Sequence, residues 1–267
     1  MRIALGVEYD GAPFEGWQSQ PHGRTVQDVL EKGLAAIAGH PVRLGCAGRT
    51  DAGVHASGQV AHFDTHAVRP VNAWVRGVNR FLPSGVAVRW AREVSPEFHA
   101  RFSALGRRYC YLLLDAPVRP ALQHGRVGWF HRPLNVDAMA RAAGCLPGTH
   151  DFSSFRAAGC QARSPIKEMR EVQVYRHGPV VVFEFAASAF LHHMVRNLVG
   201  ALVYVGSGRR PEEWLGDVLV ARDRSLAAPT FDPGGLYFTG VDYPEHWNLP
   251  SGDRMIAPLP LLMGASR

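Results

Sequence analysis

Apolar side chains recur at every second position over residues 2–10, where Ile3, Leu5, Val7 and Tyr9 fall on one side of an extended chain, so the sequence opens on a β-strand. A loop punctuated by Gly11, Pro13 and Gly16 follows. From Thr25 the period changes. Val26, Val29, Leu30, Leu34 and Ile37 line one stripe of a helix, with Thr25 placed to cap its start and Gly39 to end it. Further patterns predict a short strand over 42–47, a glycine-rich turn, a strand over 59–64, a helix over 71–81 and a strand over 86–94. The first hundred or so residues read βαββαβ.

Beyond residue 106 the order recurs with one helix added. Residues 107–114 read as a strand, 136–146 form a helical stripe that Asn135 is placed to cap, 171–176 and 180–186 are strands, 190–205 and 211–220 are helices, and 236–242 is a closing strand. Pro211 suits a first helical turn, where its missing N–H is not needed. The economical architecture is α+β: two ferredoxin-like (βαββαβ) lobes, residues 1–104 and 105–245, whose antiparallel or mixed sheets join around a central cleft, followed by a tail at 246–267.

Hydrophobic residues make up 46% of the chain and charged residues 19%, the balance of a folded protein that buries a core. No run approaches the roughly 20 apolar residues of a membrane span, and Met1 leads straight into a strand pattern, so a cytoplasmic protein is expected. Cys46, Cys110, Cys145 and Cys160 form no CxxC pair, which signals neither a zinc site nor a disulfide framework. The net charge of +6 favours a polyanionic partner. Of 29 basic residues only Lys32 and Lys167 are lysines; the other 27 are arginines, which grip phosphates bidentately and stack on bases.

Between the strands at 42–47 and 59–64 lies Gly48-Arg49-Thr50-Asp51-Ala52-Gly53-Val54-His55. Gly48, Gly53 and Gly58 let the backbone turn sharply and let a bulky ligand approach one carboxylate. On spacing alone, this is a hairpin loop in which Asp51 caps a turn and Arg49 is solvated. The wider context reads differently. Gly48 to His55, with Ser57-Gly58-Gln59-Val60 after it, resembles the catalytic-aspartate motif of the tRNA pseudouridine synthase A family. Other segments agree in order: Glu8-Tyr9-Asp10-Gly11, Gly16-Trp17-Gln18, Thr25-Val26-Gln27, Phe98 to Phe102, Arg107-Arg108-Tyr109, His150 to Phe155, His192 to Asn197, Gly235-Leu236-Tyr237 and Val241 to Pro244. Cys110 stands where an arginine is common, and Phe14 where a tyrosine is.

The resemblance implies isomerisation of uridine to pseudouridine at positions 38, 39 and 40 of the tRNA anticodon stem-loop, by a homodimer that needs no cofactor and no metal and binds RNA in its cleft. It makes Asp51 the nucleophile and Arg196 the cation that keeps it ionised. It makes Tyr109 a ring that stacks on uracil while its hydroxyl relays a proton, and Leu236 an apolar wall of the same pocket. Arg49 would fill the gap left when the target nucleotide leaves the stack, a step costing roughly a few kcal/mol. RNA contacts fall on Phe98, His99, Ala100, Arg101 and Phe102, and on Gly159, Cys160, Gln161, Ala162 and Arg163, with Arg69, Arg107 and Arg108 as electrostatic additions. The doublet His192-His193 is not expected to share a metal ion, because adjacent residues of a helix point about 100° apart.

Two other classes stay open to the residues themselves. A non-catalytic RNA-binding sheet would not need Asp51. A glycoside-type hydrolase would need paired carboxylates, for which Glu8 and Asp10 are the nearest candidates. The chain has no Walker-type lysine loop and no Gly-x-Ser-x-Gly turn, which disfavours nucleotide-driven and serine-hydrolase chemistry.

Overall fold

The structure, a computed structural model, describes residues 1–250. Its elements run β1 (Arg2–Tyr9), α1 (Val26–Ala38), β2 (Gly45–Cys46), β3 (His55–Asp64), a π-wound segment (Ala73–Gly77), β4 (Val86–Val94), β5 (Gly106–Asp115), β6 (Gly128–Phe130), α2 (Val136–Ala143), β7 (Gly148–Asp151), β8 (Ile166–His177), β9 (Val180–Ala187), α3 (Met194–Gly206), α4 (Trp214–Ala221) and β10 (Leu236–Asp242). The fold is α+β. No helix among the described residues is long and apolar enough to cross a membrane. The tail at 246–267 lies mostly outside the described residues.

The chain divides into two compact units, one of Met1–Gly106 together with the stretch from Tyr237, the other of Arg107–Leu236. Chain order had put the closing strand with the second half. The structure counts it from Tyr237 with the first, because β10 lies parallel to β3 with Tyr237 opposite His55 and Phe238 opposite Ala56.

In the first unit β1 pairs antiparallel with both β4 and β3, and β2 adds to β3 through Gly45 and Cys46. Ile3, Leu5 and Val7 are buried, as the alternation requires. Helix α1 starts on a reciprocal cap: the Asp28 amide donates to Thr25 Oγ1 (3.3 Å) and the Thr25 amide to Asp28 Oδ2 (3.2 Å). It ends at Gly39 in the left-handed conformation. Its Val26, Leu30 and Leu34 are fully buried.

In the second unit β9 pairs antiparallel with β5 and β8, β8 pairs antiparallel with β7, and β6 runs parallel to β5. Helices α2, α3 and α4 pack on one another, and α3 is apolar on nearly every side. Strands β6 and β7 span three and four residues, too few to show a period. Helix α3 begins at Met194 rather than 190 because His193 takes a left-handed backbone (φ 62°), and α4 begins at Trp214 because the residues after Pro211 form a turn.

His62 on β3 ties the first unit together from inside. It is 7% exposed, accepts the Ala100 N–H at Nδ1 (3.2 Å), and stands opposite Gly45, where a Cβ would come within 2.3 Å of the imidazole. Burial, followed by the charges of His99 and Arg2, pushes its pKa down to about 4 from an ordinary 6.5. The folded state therefore keeps His62 neutral while the unfolded chain takes up a proton below about 6.5. Its contribution to stability is complete above that pH and is lost as pH falls toward 4. Melting of the wild type and of His62→Gln across pH 4 to 7.5 tests this. The wild type should lose its advantage over the variant on the acid side, and a pH-independent difference between them would contradict the assignment.

Candidate active site

The loop that carries Asp51 begins where the backbone ladder of β2 and β3 ends. Cys46 stands opposite Ala61, and the Ala47 amide donates to Val60 O (2.8 Å). The next rung is made by a side chain. Gln59 Nε2 donates to Gly48 O (2.6 Å), and Gln59 Oε1 accepts the Gly48 N–H (3.4 Å), so one amide group stands in for a strand. Thr50 is fixed on two sides: Tyr9 Oη and Thr50 Oγ1 share a hydrogen bond of 2.8 Å, and the Trp17 amide donates to Thr50 O (3.0 Å). Gln59 Nε2 also reaches Tyr9 Oη at 3.5 Å. Gln59 is fully buried, Tyr9 and Thr50 nearly so.

The far side of the loop is held equally closely. The Val54 amide donates to Asp51 O (3.1 Å), the Gly53 amide to Phe14 O (3.4 Å), and Gly53 turns through φ 77°. Gly16, at φ 86°, lies so close beneath that a Cβ there would stand 2.8 Å from Thr50 O. His55 is buried, accepts the Gly11 N–H at Nδ1 (3.0 Å), and stacks on Tyr237 at 4.6 Å. Asp51 itself is half-buried and Arg49 is exposed. A short, rigid turn thus presents one carboxylate with an arginine two residues before it.

The segment 98–102 belongs to the same unit and divides by burial. The Phe98 ring is fully buried against Tyr243 and Trp247, and Ala100 is fully buried, so neither side chain is presented to a ligand. Alternating contacts bring the others outward: His99 lies 4.3 Å from the Phe102 ring, which is 75% exposed and carries Arg101 at 5.6 Å. Arg101 and Arg49 both act on Cys46, whose thiol burial pushes up to about 12 against their charges. Arg69 is exposed and donates to Ile37 O near the end of α1 (3.2 Å).

In the second unit Tyr109 is half-buried on β5, edge-on to Phe190 at 4.9 Å. Tyr111, on the same side of the strand, is fully buried and donates to Asp232 O (2.8 Å). Arg196 lies in the first turn of α3, where its Nε donates to Phe231 O (2.8 Å) and its own carbonyl accepts the Phe231 N–H (3.2 Å). Phe231 packs on Tyr111 at 5.8 Å, so Arg196, the turn before Leu236, and β5 are drawn together within this unit. Leu236 is 5% exposed. Arg107 donates to Ser188 O (3.2 Å), and Arg108 pairs with Glu171 (3.4 Å).

The loop 159–163 is pinned from inside by Arg156, which donates to Cys160 O (2.7 Å) and Ala162 O (2.9 Å), leaving Gly159, Gln161 and Arg163 exposed. Cys160 Sγ accepts the His192 N–H (3.4 Å). Burial opposes ionisation of that thiol, but the His192 and Ala162 amides and Arg156 bring its pKa below the ordinary value. The argument that His192 and His193 diverge fails here: His193 is not helical, and the two rings are 4.0 Å apart. Asn197 next to Arg196 is fully buried, donates to Phe155 O (2.8 Å) and accepts from Arg224 (3.1 Å) and Thr230 (2.7 Å).

Sequence reasoning had assigned no role to Gln59, Tyr9, Thr50, Asn197 or Arg156. The signal available for Gln59 and Asn197 was a side-chain amide inside an otherwise small or apolar stretch, which a fold tolerates only when the amide finds partners.

With this geometry established, comparison with known proteins is specific. The family model described as tRNA pseudouridine synthase matches residues 6–103 and 142–244. A tRNA pseudouridine synthase A of Aromatoleum aromaticum is 67% identical over 256 residues, covering 96% of this chain and 97% of the relative. Those of Dechloromonas aromatica (62%, covering 94% and 95%) and Thiobacillus denitrificans (60%, covering 94% and 96%) are similar over nearly their whole lengths. The rigid turn presenting Asp51 lies inside the matched region, and the chain belongs to the tRNA pseudouridine synthase family.

Proposed function

We propose that this enzyme converts uridine to pseudouridine in the anticodon stem-loop of tRNA, at positions 38, 39 and 40, with Asp51 as nucleophile, acting as a homodimer without a cofactor. The observation that carries the reading is the braced loop. A single half-buried carboxylate is held out on a turn anchored at Gly48, Thr50, Gly53 and Val54, within a chain 67% identical to a tRNA pseudouridine synthase A.

The reaction breaks the bond from uracil N1 to ribose C1′, rotates the base and joins C5 to C1′. The C5 proton is lost and N1 gains one, so nothing is oxidised and no group is transferred to another molecule. Asp51 attacks the ribose or the base, or assists elimination at the sugar. Arg196 supplies the positive charge that favours its ionised form. Tyr109 stacks on the uracil and relays the C5 proton, and Leu236 walls the pocket. Arg49 fills the stack vacated by the flipped nucleotide. His99, Arg101 and Phe102 form a cationic aromatic surface suited to RNA, and Gly159 to Arg163 a loop suited to the backbone.

The decisive experiment is single-turnover conversion of a tRNA transcript beside filter binding. Asp51→Ala should abolish pseudouridine formation while tRNA affinity stays within about twofold, since one loop carboxylate contributes little to a charge-driven interface. Wild-type conversion by this variant would overturn the reading.

Arg196→Met should lower the single-turnover rate at least about tenfold while tRNA affinity stays within about twofold, because the reacting carboxylate loses its cationic partner. Wild-type conversion by this variant would remove Arg196 from that role. Arg49→Ala should cost at least about tenfold in turnover with little change in affinity, as expected of a side chain that acts on the flipped state. Equal losses in both quantities would make it an ordinary phosphate contact.

A further inference from the structure

The loop around Asp51 is stabilised by something the reaction does not itself require. Three side chains with no reacting atom hold it: Gln59 pairs with both backbone groups of Gly48, Tyr9 bonds Thr50 Oγ1, and Gln59 in turn reaches Tyr9. Gly48 and Thr50 are the residues on either side of Arg49, and Thr50 immediately precedes Asp51. Gln59 is 0% exposed, Tyr9 3% and Thr50 7%, so water cannot replace a lost partner, and each bond is strong relative to the alternative of leaving a buried group unmade.

We propose that Gln59, Tyr9 and Thr50 form a polar clamp that fixes the backbone on both sides of Arg49, and that this clamp is what sets the position of the Asp51 carboxylate for attack. The three are positioning residues, and the proposal rests on Asp51 being the nucleophile. A hairpin would normally continue its ladder or release it to solvent at Gly48. Here the contact to Gly48 is made by the Gln59 side chain, while the Gln59 main chain stands opposite Val7 of β1. The arrangement holds the loop in one shape before substrate arrives. A carboxylate displaced by an ångström forfeits much of the rate that orientation provides, while the charged surface that binds RNA is unaffected.

The test separates rate from affinity and separates this hydrogen-bond chain from general damage. Gln59→Leu, Tyr9→Phe, Thr50→Val, Thr50→Ser and the double variant Tyr9→Phe with Thr50→Val are compared with wild type by single-turnover conversion, tRNA filter binding and melting. The clamp predicts a rate loss of about tenfold or more for Gln59→Leu with affinity within about twofold. Tyr9→Phe and Thr50→Val should each slow conversion, and the double variant should be no slower than the worse single, because both remove the same bond. Thr50→Ser, which keeps the hydroxyl, should recover most of the Thr50→Val loss.

Wild-type rates in Gln59→Leu and Tyr9→Phe would overturn the proposal, and so would additive losses in the double variant or parallel losses of rate and affinity. Should Gln59→Leu fail to fold, the Tyr9 and Thr50 cycle still decides the matter. Asp51→Ala measured in the same series shows separately whether the nucleophile assignment holds.

Discussion

A polar side chain taken out of water has to find its partner inside the protein, and β3 carries three of them in succession. His55, Gln59 and His62 are all buried, and each one reaches a different piece of main chain: Gly11, Gly48 and Ala100. These contacts join the loop after β1, the Asp51 turn and the segment 98–102 to one strand. Because an unmade bond at any of the three would cost about 1–3 kcal/mol, the strand dictates where those segments lie. The apolar residues between and just after them, Ala56, Val60, Ala61 and Phe63, supply burial without direction. Burial makes the unit compact, and the three polar contacts make its functional loops specific.

Arginine use follows a similar division. Much of the positive charge is engaged with the protein's own acceptors: Arg2 grips Asp64 and the carbonyl of Phe98, Arg176 grips Asp115, Arg141 grips Glu212 and Arg156 holds the 159–163 loop. The exposed pairs among these contribute little stability each. Their effect is geometric, since a guanidinium forks to two acceptors at once. The net charge is therefore a poor map of the RNA surface. Arg49 and Arg101 are both exposed, and Arg101 lies 5.6 Å from the ring of Phe102, which is itself 75% exposed.

The regular elements were legible because their periods are long enough to read. β1, α1, β4, β9 and β10 fall where alternation and the helical stripe put them, and the Thr25 and Asn135 caps form the expected bonds. β6 and β7 were invisible because strands of three or four residues are specified by their partners rather than by their own pattern. The left-handed His193 defeated the estimate for the start of α3, since nothing in the side chain marks it. At the site, the small residues around Asp51 were readable as a turn, but only the family resemblance gave it chemistry. Phe98 was read as an RNA contact because the resemblance carries over the segment 98–102 as a whole, and its burial follows from the pocket that Tyr243 and Trp247 close over it, far along the chain. Gln59 was missed for the same reason: a side-chain amide acquires its meaning from residues brought to it by the fold.

The pairing of β10 with β3 bears on how the protein is made. Strand β3 is complete once His55–Asp64 has been synthesised, and Ala56 already faces Tyr9 on one edge, yet the partners of His55 and Ala56 on the other edge arrive only with Tyr237 and Phe238. On a translating ribosome the first unit must wait through the whole of the second before that edge is closed. During this interval that edge, next to the Asp51 turn, offers unpaired amides and carbonyls to other chains, a site where nascent-chain protection matters.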